Sequence, residues 1–75
     1  MASLKVRFGR AVRSLRERAD YSQESFADAI GVHRTYMGTL ERGQGNPSLD
    51  IIARIARGLG ISLAKLFEAV EKNGG

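Results

Sequence analysis

Residues 23–42 read QESFADAIGVHRTYMGTLER, and the architecture of the chain follows from them. The stretch predicts two short helices around a tight turn. Ser22 is a good N-cap for the first, and Glu24 suits its positive end. Phe26, Ala27 and Ile30 recur at helical spacing. Gly31 then supplies a left-handed residue that ends the helix. Ala27 is small enough for a second helix to cross close over it, and Phe26, Ile30, Val32, Met37 and Leu40 fall where the two helices face each other and the rest of a core. This is the pattern of a helix-turn-helix.

The second of these helices, Arg34 to Arg42, sorts its residues by angle. With Arg34 at zero, Tyr36, Met37 and Leu40 lie between roughly 200° and 300°, a core face, at about 100° per residue. Arg34, Thr35, Gly38, Thr39 and Arg42 lie between roughly 0° and 140°. That second face holds no acid and no large apolar side chain, and its guanidinium and hydroxyl groups suit base edges and phosphates. Gly38 sits near its middle, where a glycine costs about 1 kcal/mol against alanine. Close approach to DNA and a tolerated surface glycine both account for it.

Outward from this core the helical period continues. A first helix over Lys5–Ala19 carries Leu4, Phe8, Ala11, Val12 and Leu15 as its apolar stripe. After the loop Gly43–Pro47, Ser48 caps a fourth helix expected to bury Leu49, Ile52, Ala53, Ile55, Ala56 and Leu59, ended by Gly60. Ser62 caps a fifth, with Leu63, Leu66, Phe67 and Val70. Asn73, Gly74 and Gly75 read as a frayed tail. Connections are short and strand patterning is absent, so the expectation is one all-α, five-helix bundle over residues 1–75, ordered from about 4 to 71.

The chain has 75 residues, no cysteine and one histidine. Disulfides, thiolate metal sites and a His-only metal cluster are therefore excluded within one chain. No metal and no cofactor is expected, and no phosphate loop or catalytic constellation marks an enzyme. No apolar run approaches the roughly 20 residues of a membrane span. No signal peptide is visible, so a soluble cytoplasmic protein without a membrane partner is expected. The formal charge is +4, and residues 1–18 concentrate it: Lys5, Arg7, Arg10, Arg13, Arg16 and Arg18 face only Glu17. A polyanionic partner and a solvated helix face both fit that asymmetry.

The segments FGRAVRSLRERADYSQESFADAIGV, HRTYMGTLERG, NPSLDIIARIARGLGIS and KLF resemble the phage-repressor (Cro/CI-like) or xenobiotic-response-element family of helix-turn-helix regulators, over about residues 5–70. The wording HRTYMGTLERG followed by NPSL is similar to restriction–modification controller proteins. The resemblance implies a compact lambda-repressor-like bundle that binds double-stranded DNA as a homodimer and regulates transcription. It implies a phosphate contact for Gln23, which could also position the next helix. Base contacts would come from the places of His33, Arg34, Thr35 and Thr39, with Thr35 on a thymine methyl or a phosphate and His33 also readable as an N-cap, a phosphate contact or a plain surface residue. Tyr36 is either a packed ring whose hydroxyl reaches the groove or pure packing. Arg42, Gln44 and Asn46 match a backbone clamp. Arg16 and Glu41 match a structural ion pair.

One recognition helix touches few base pairs, so specific binding usually needs two copies about 34 Å apart. Ile51 lies off the core stripe, and Leu63, Phe67 and Val70 exceed what one side of a short terminal helix needs. These residues are expected either at a two-fold interface from the fifth helix and the outer face of the fourth or simply closing a small core. No second domain is present to hold an effector, so no small-molecule ligand is expected. The competing function is a protein-interaction module, such as an antitoxin partner, with DNA binding secondary.

Overall fold

The computed structural model describes residues 2–73; Gly74 and Gly75 of the expected tail lie outside the described residues. The described residues form five helices: α1 (Leu4–Arg18), α2 (Gln23–Ile30), α3 (Arg34–Glu41), α4 (Leu49–Leu59) and α5 (Leu63–Lys72). The boundaries are those of the sequence pattern to within a residue. They agree because the signals are local. Ser3, Ser22, Ser48 and Ser62 each accept a backbone N–H from the first turn of the helix they open. At Ser22 the bond is reciprocal, with the Ser25 hydroxyl reaching back to the cap. Helix ends are equally regular. Gly31 stands at φ 76°, and Val32 N–H returns 2.9 Å to the Ala27 carbonyl, a Schellman closure. Asp20 closes α1 in the same way at φ 62°, the one non-glycine among the described residues to do so.

Packing then assembles a single core. Phe26, Met37, Leu40, Ile55, Leu66, Val12 and Val70 are fully enclosed. α1 packs on α3 and α5, while α2 packs on α3 and α4. The α1–α3 crossing is close enough to exclude a side chain. A Cβ on Gly9 would stand 2.7 Å from the Glu41 carbonyl oxygen and against the Leu40 carbonyl. That contact brings the C-terminal end of α3 directly over α1.

Three apolar expectations change here. Leu49 was assigned to the core of α4, yet it is 84% exposed. Along α4 burial starts at Ile51 and is complete only at Ile55 and Ala56, so the first turn stands proud of the bundle. Leu4, expected in the α1 stripe, is exposed for the same reason at the start of α1. Val70, expected at a subunit interface, is 1% exposed, its side chain used up within the core of one protomer. Among the described residues, no helix is long and apolar enough to cross a membrane.

Candidate nucleic-acid interface

α3 is held by a buried ionic knot. Glu41, at its last turn, receives Arg16 of α1 through both carboxylate oxygens: Nε donates to Oε2 at 2.7 Å and Nη2 to Oε1 at 3.0 Å. Gln23, the first residue of α2, donates Nε2 to the same Oε1 at 3.0 Å. The remaining guanidinium edge donates to the Tyr21 carbonyl at 2.7 Å. The Arg16 and Glu41 side chains are 8% and 3% exposed. The guanidinium pKa is raised, first by the hydrogen bond to Glu41, against the opposing pull of burial. Three helices are thus keyed together at one point.

This geometry gives Gln23 a structural bond that the sequence offered only as one alternative. One amide hydrogen is committed to Glu41, and the second has no hydrogen-bond partner among the described residues. Its amide oxygen lies 3.6 Å from where a Gly38 Cβ would stand, with Arg42 Nη1 at 3.2 Å on the other side. Gly38 is accordingly buried, not open to solvent as its angle on an isolated helix suggests. A Cβ there would meet the Gln23 amide at ordinary contact distance and press only on the flexible end of Arg42, so space alone does not require the glycine.

Beside Gly38 runs a polar groove between the start of α2 and α3, lined by Ser22, Gln23, Glu24, Arg34, Thr35 and Arg42. Arg34 and Thr35 are exposed on its outer wall. The Thr39 hydroxyl donates to the Thr35 carbonyl at 3.0 Å and accepts from Arg42 Nη2 at 3.4 Å. Arg42 Nε donates to Gln44 Oε1 at 3.3 Å. Thr39, Arg42 and Gln44 therefore form one chain of contacts that leads from the helix into the loop. Asn46 stands elsewhere. It lines an apolar groove with Leu4, Phe8, Pro47, Ile52 and Phe67 on the α1–α5 side. Tyr36 is half-buried against the core.

His33 is the N-cap of α3, and its Nδ1 accepts from Thr35 N–H at 3.3 Å. An imidazole is a poorer cap than a hydroxyl, which reaches the second and third N–H groups with less ordering. His33→Ser should therefore raise unfolding stability by up to about 1 kcal/mol. Urea titration measures this, and an unchanged or lower midpoint would show that the imidazole contributes more than its cap.

The sequence reading overlooked two features. Gly9 lies beside Phe8 and one turn from Val12 on the inner face of α1, a position where a glycine permits a close crossing, and α3 makes that crossing. Glu24 was read only as a favourable charge for the helix end. Its Oε2 lies 3.4 Å from Nη1 of Arg34.

A five-helix bundle that keeps one polar helix face clear of its core is the architecture of a helix-turn-helix DNA-binding regulator. Residues 7–68 match the helix-turn-helix domain family. Control protein C.MunI of Mycoplasma sp is 47% identical over 73 residues, spanning 96% of this chain and 99% of that protein. The restriction–modification controller protein C.AhdI from Aeromonas hydrophila superposes with a TM-score of 0.80 at 44% identity, over 83% of this chain and 94% of that one. The controller protein C.Esp1396I, solved as a tetramer in complex with its natural 35-base-pair operator, gives 0.87 at 25% identity, over 97% and 96% of the two chains. The chain belongs to the helix-turn-helix family of DNA-binding transcription regulators, in which restriction–modification control proteins are its similar relatives.

Proposed function

We propose that the chain acts in the cytoplasm as a homodimer on a palindromic operator, controlling its own gene and those of a restriction–modification system. One observation carries the DNA-reading part. α3 encloses Met37 and Leu40 in the core while leaving Arg34 and Thr35 open. The buried face anchors the helix, and the open face meets the major groove. Arg34 reads guanine through O6 and N7. Thr35 contacts a thymine methyl or a phosphate. Gln23, His33, Tyr36, Thr39, Arg42 and Gln44 supply backbone contacts and the edges of the reading surface, whereas Asn46, which lines the apolar groove on the α1–α5 side, is left out of it. The similarity to control proteins supports the assignment to restriction–modification systems.

Dimerisation uses the exposed apolar surface of α5 and the outer side of α4. Leu63 is 49% exposed and Phe67 38% exposed. Ile51 is half-buried at the edge of the core. Leu49 and Leu4 join them in place of Val70. The same surface favours the second reading, a module that docks another protein. Size-exclusion chromatography with and without DNA separates the two: a dimer that binds duplex DNA without a further partner supports the first.

Selection of binding sites from random duplex DNA is the central test. The expected product is a two-fold symmetric site with half-sites about 34 Å apart. Arg34→Ala should remove about 1–3 kcal/mol of discrimination at one base pair of each half-site. A variant as selective as the wild type at every position would end the assignment of Arg34.

A further inference from the structure

The polar groove contains a carboxylate that the fold does not consume. Glu41 is enclosed and saturated by Arg16 and Gln23. Glu24 is 68% exposed, and its only ion-pair partner among the described residues is Arg34, itself 65% exposed. A negative charge on a surface that meets phosphates weakens binding to every duplex alike. It needs a compensating role. Its place in the first turn of α2 favours the helix start beside the Ser22–Ser25 capping box, but that role needs no arginine across the groove.

We infer that Glu24 is a specificity-determining residue that acts by positioning Arg34; this rests on the reading of Arg34 as a base contact. The guanidinium has five donors in a planar fork. One edge can stay on Glu24 while the other pairs with the two acceptors of guanine. In that complex the carboxylate is neutralised where it stands. Against a wrong sequence the fork finds no paired acceptors. It must either leave Glu24 for a phosphate, which exposes the carboxylate to the backbone, or remain on Glu24 and contribute no contact. Glu24 therefore penalises non-specific complexes more than the specific one. Loose binding is suppressed, and the arginine is held near the orientation it needs.

The test uses the full chain and two probes: the duplex that the wild type selects from random sequence, and a scrambled duplex of the same length and composition. Glu24→Gln removes the charge and keeps the shape. The expected result is about a 3–10-fold gain in affinity for the scrambled duplex with a smaller change on the selected one, so that the specificity ratio falls. The salt slope on the scrambled duplex should steepen by about 0.9, one additional phosphate contact. Asp28→Asn makes the same charge change one turn along the same face of α2, at a residue that is exposed and in no ion pair among the described residues. It should leave the ratio unchanged. In an Arg34→Ala background, Glu24→Gln should have no further effect on the ratio. Equal effects of Glu24→Gln and Asp28→Asn would reduce the role to net charge and overturn the inference. So would a ratio that Glu24→Gln leaves intact, or an effect that persists undiminished without Arg34. A wild type with no preference between the two probes would overturn the base-reading assignment itself, and this inference with it.

Discussion

Glu41→Ala should destabilise the protein by about 3–5 kcal/mol, the cost of leaving one member of a buried ion pair without its partner. The size follows from the geometry. Arg16 is 8% exposed at its side chain, so its guanidinium cannot turn to water when the carboxylate is gone. Two of its three hydrogen-bonded contacts end on Glu41, and only the Tyr21 carbonyl would remain. Gln23 would lose its acceptor at the same time. Small domains have about 5–15 kcal/mol in total, so a large part of the stability is at stake. Urea denaturation of Glu41→Ala, Arg16→Ala and the double variant checks it. The double variant should lose clearly less than the two singles together, because the second substitution removes a charge that the first stranded. Strict additivity would mean that the two side chains do not sense each other, contrary to contacts of 2.7 and 3.0 Å.

Leu63→Glu should convert the protein to a monomer and lower affinity for its selected duplex by roughly 10²–10⁴-fold, the gain that linking two binding events normally supplies. Leu63 is the first residue of α5 and about half exposed, so the substitution leaves the core intact. A carboxylate is also favourable at a helix start, which protects folding. Two copies related by a two-fold axis would bring like charges together across an apolar contact. Sedimentation reads the association state, and binding to a single half-site should remain close to wild type. A Leu63→Glu protein that is still dimeric would place the interface elsewhere. Phe67 is a less clean choice for this test because its ring packs 6.2 Å from that of Phe8, and its loss would disturb the core as well.

How much the amino-acid order conveys differs from residue to residue. The turn at Gly31, the caps at Ser22, Ser48 and Ser62 and the enclosed stripe Phe26, Ile30, Met37 and Leu40 rest on interactions within a few residues, and pattern reading reaches them. Helical angle failed at Gly38, and counting surplus apolar residues failed at Val70, which lies one turn beyond the enclosed Leu66. An angle describes one isolated helix and says nothing of the neighbour lying over it. Gly38 is covered by Arg42, one turn along its own helix, and by Gln23 of α2, which only the assembled bundle brings there. Leu4 and Leu49 failed in the opposite sense: both belong to apolar stripes by spacing, but each lies in the first turn of its helix, which the bundle covers little, Leu4 only edging the groove beside Phe8 and Phe67.

The order of residues in the chain was enough to specify five helices, their ends, the helix-turn-helix and the polarity of α3, because each depends on backbone geometry and solvent preference over short distances. Tertiary packing alone determined that Gln23 joins the Arg16–Glu41 pair in one knot, that Glu24 comes within 3.4 Å of Arg34, and which leucines remain bare. Those outcomes depend on how closely helices cross, above all where Gly9 admits α3, and that distance is a property of two surfaces in contact that neither helix encodes by itself.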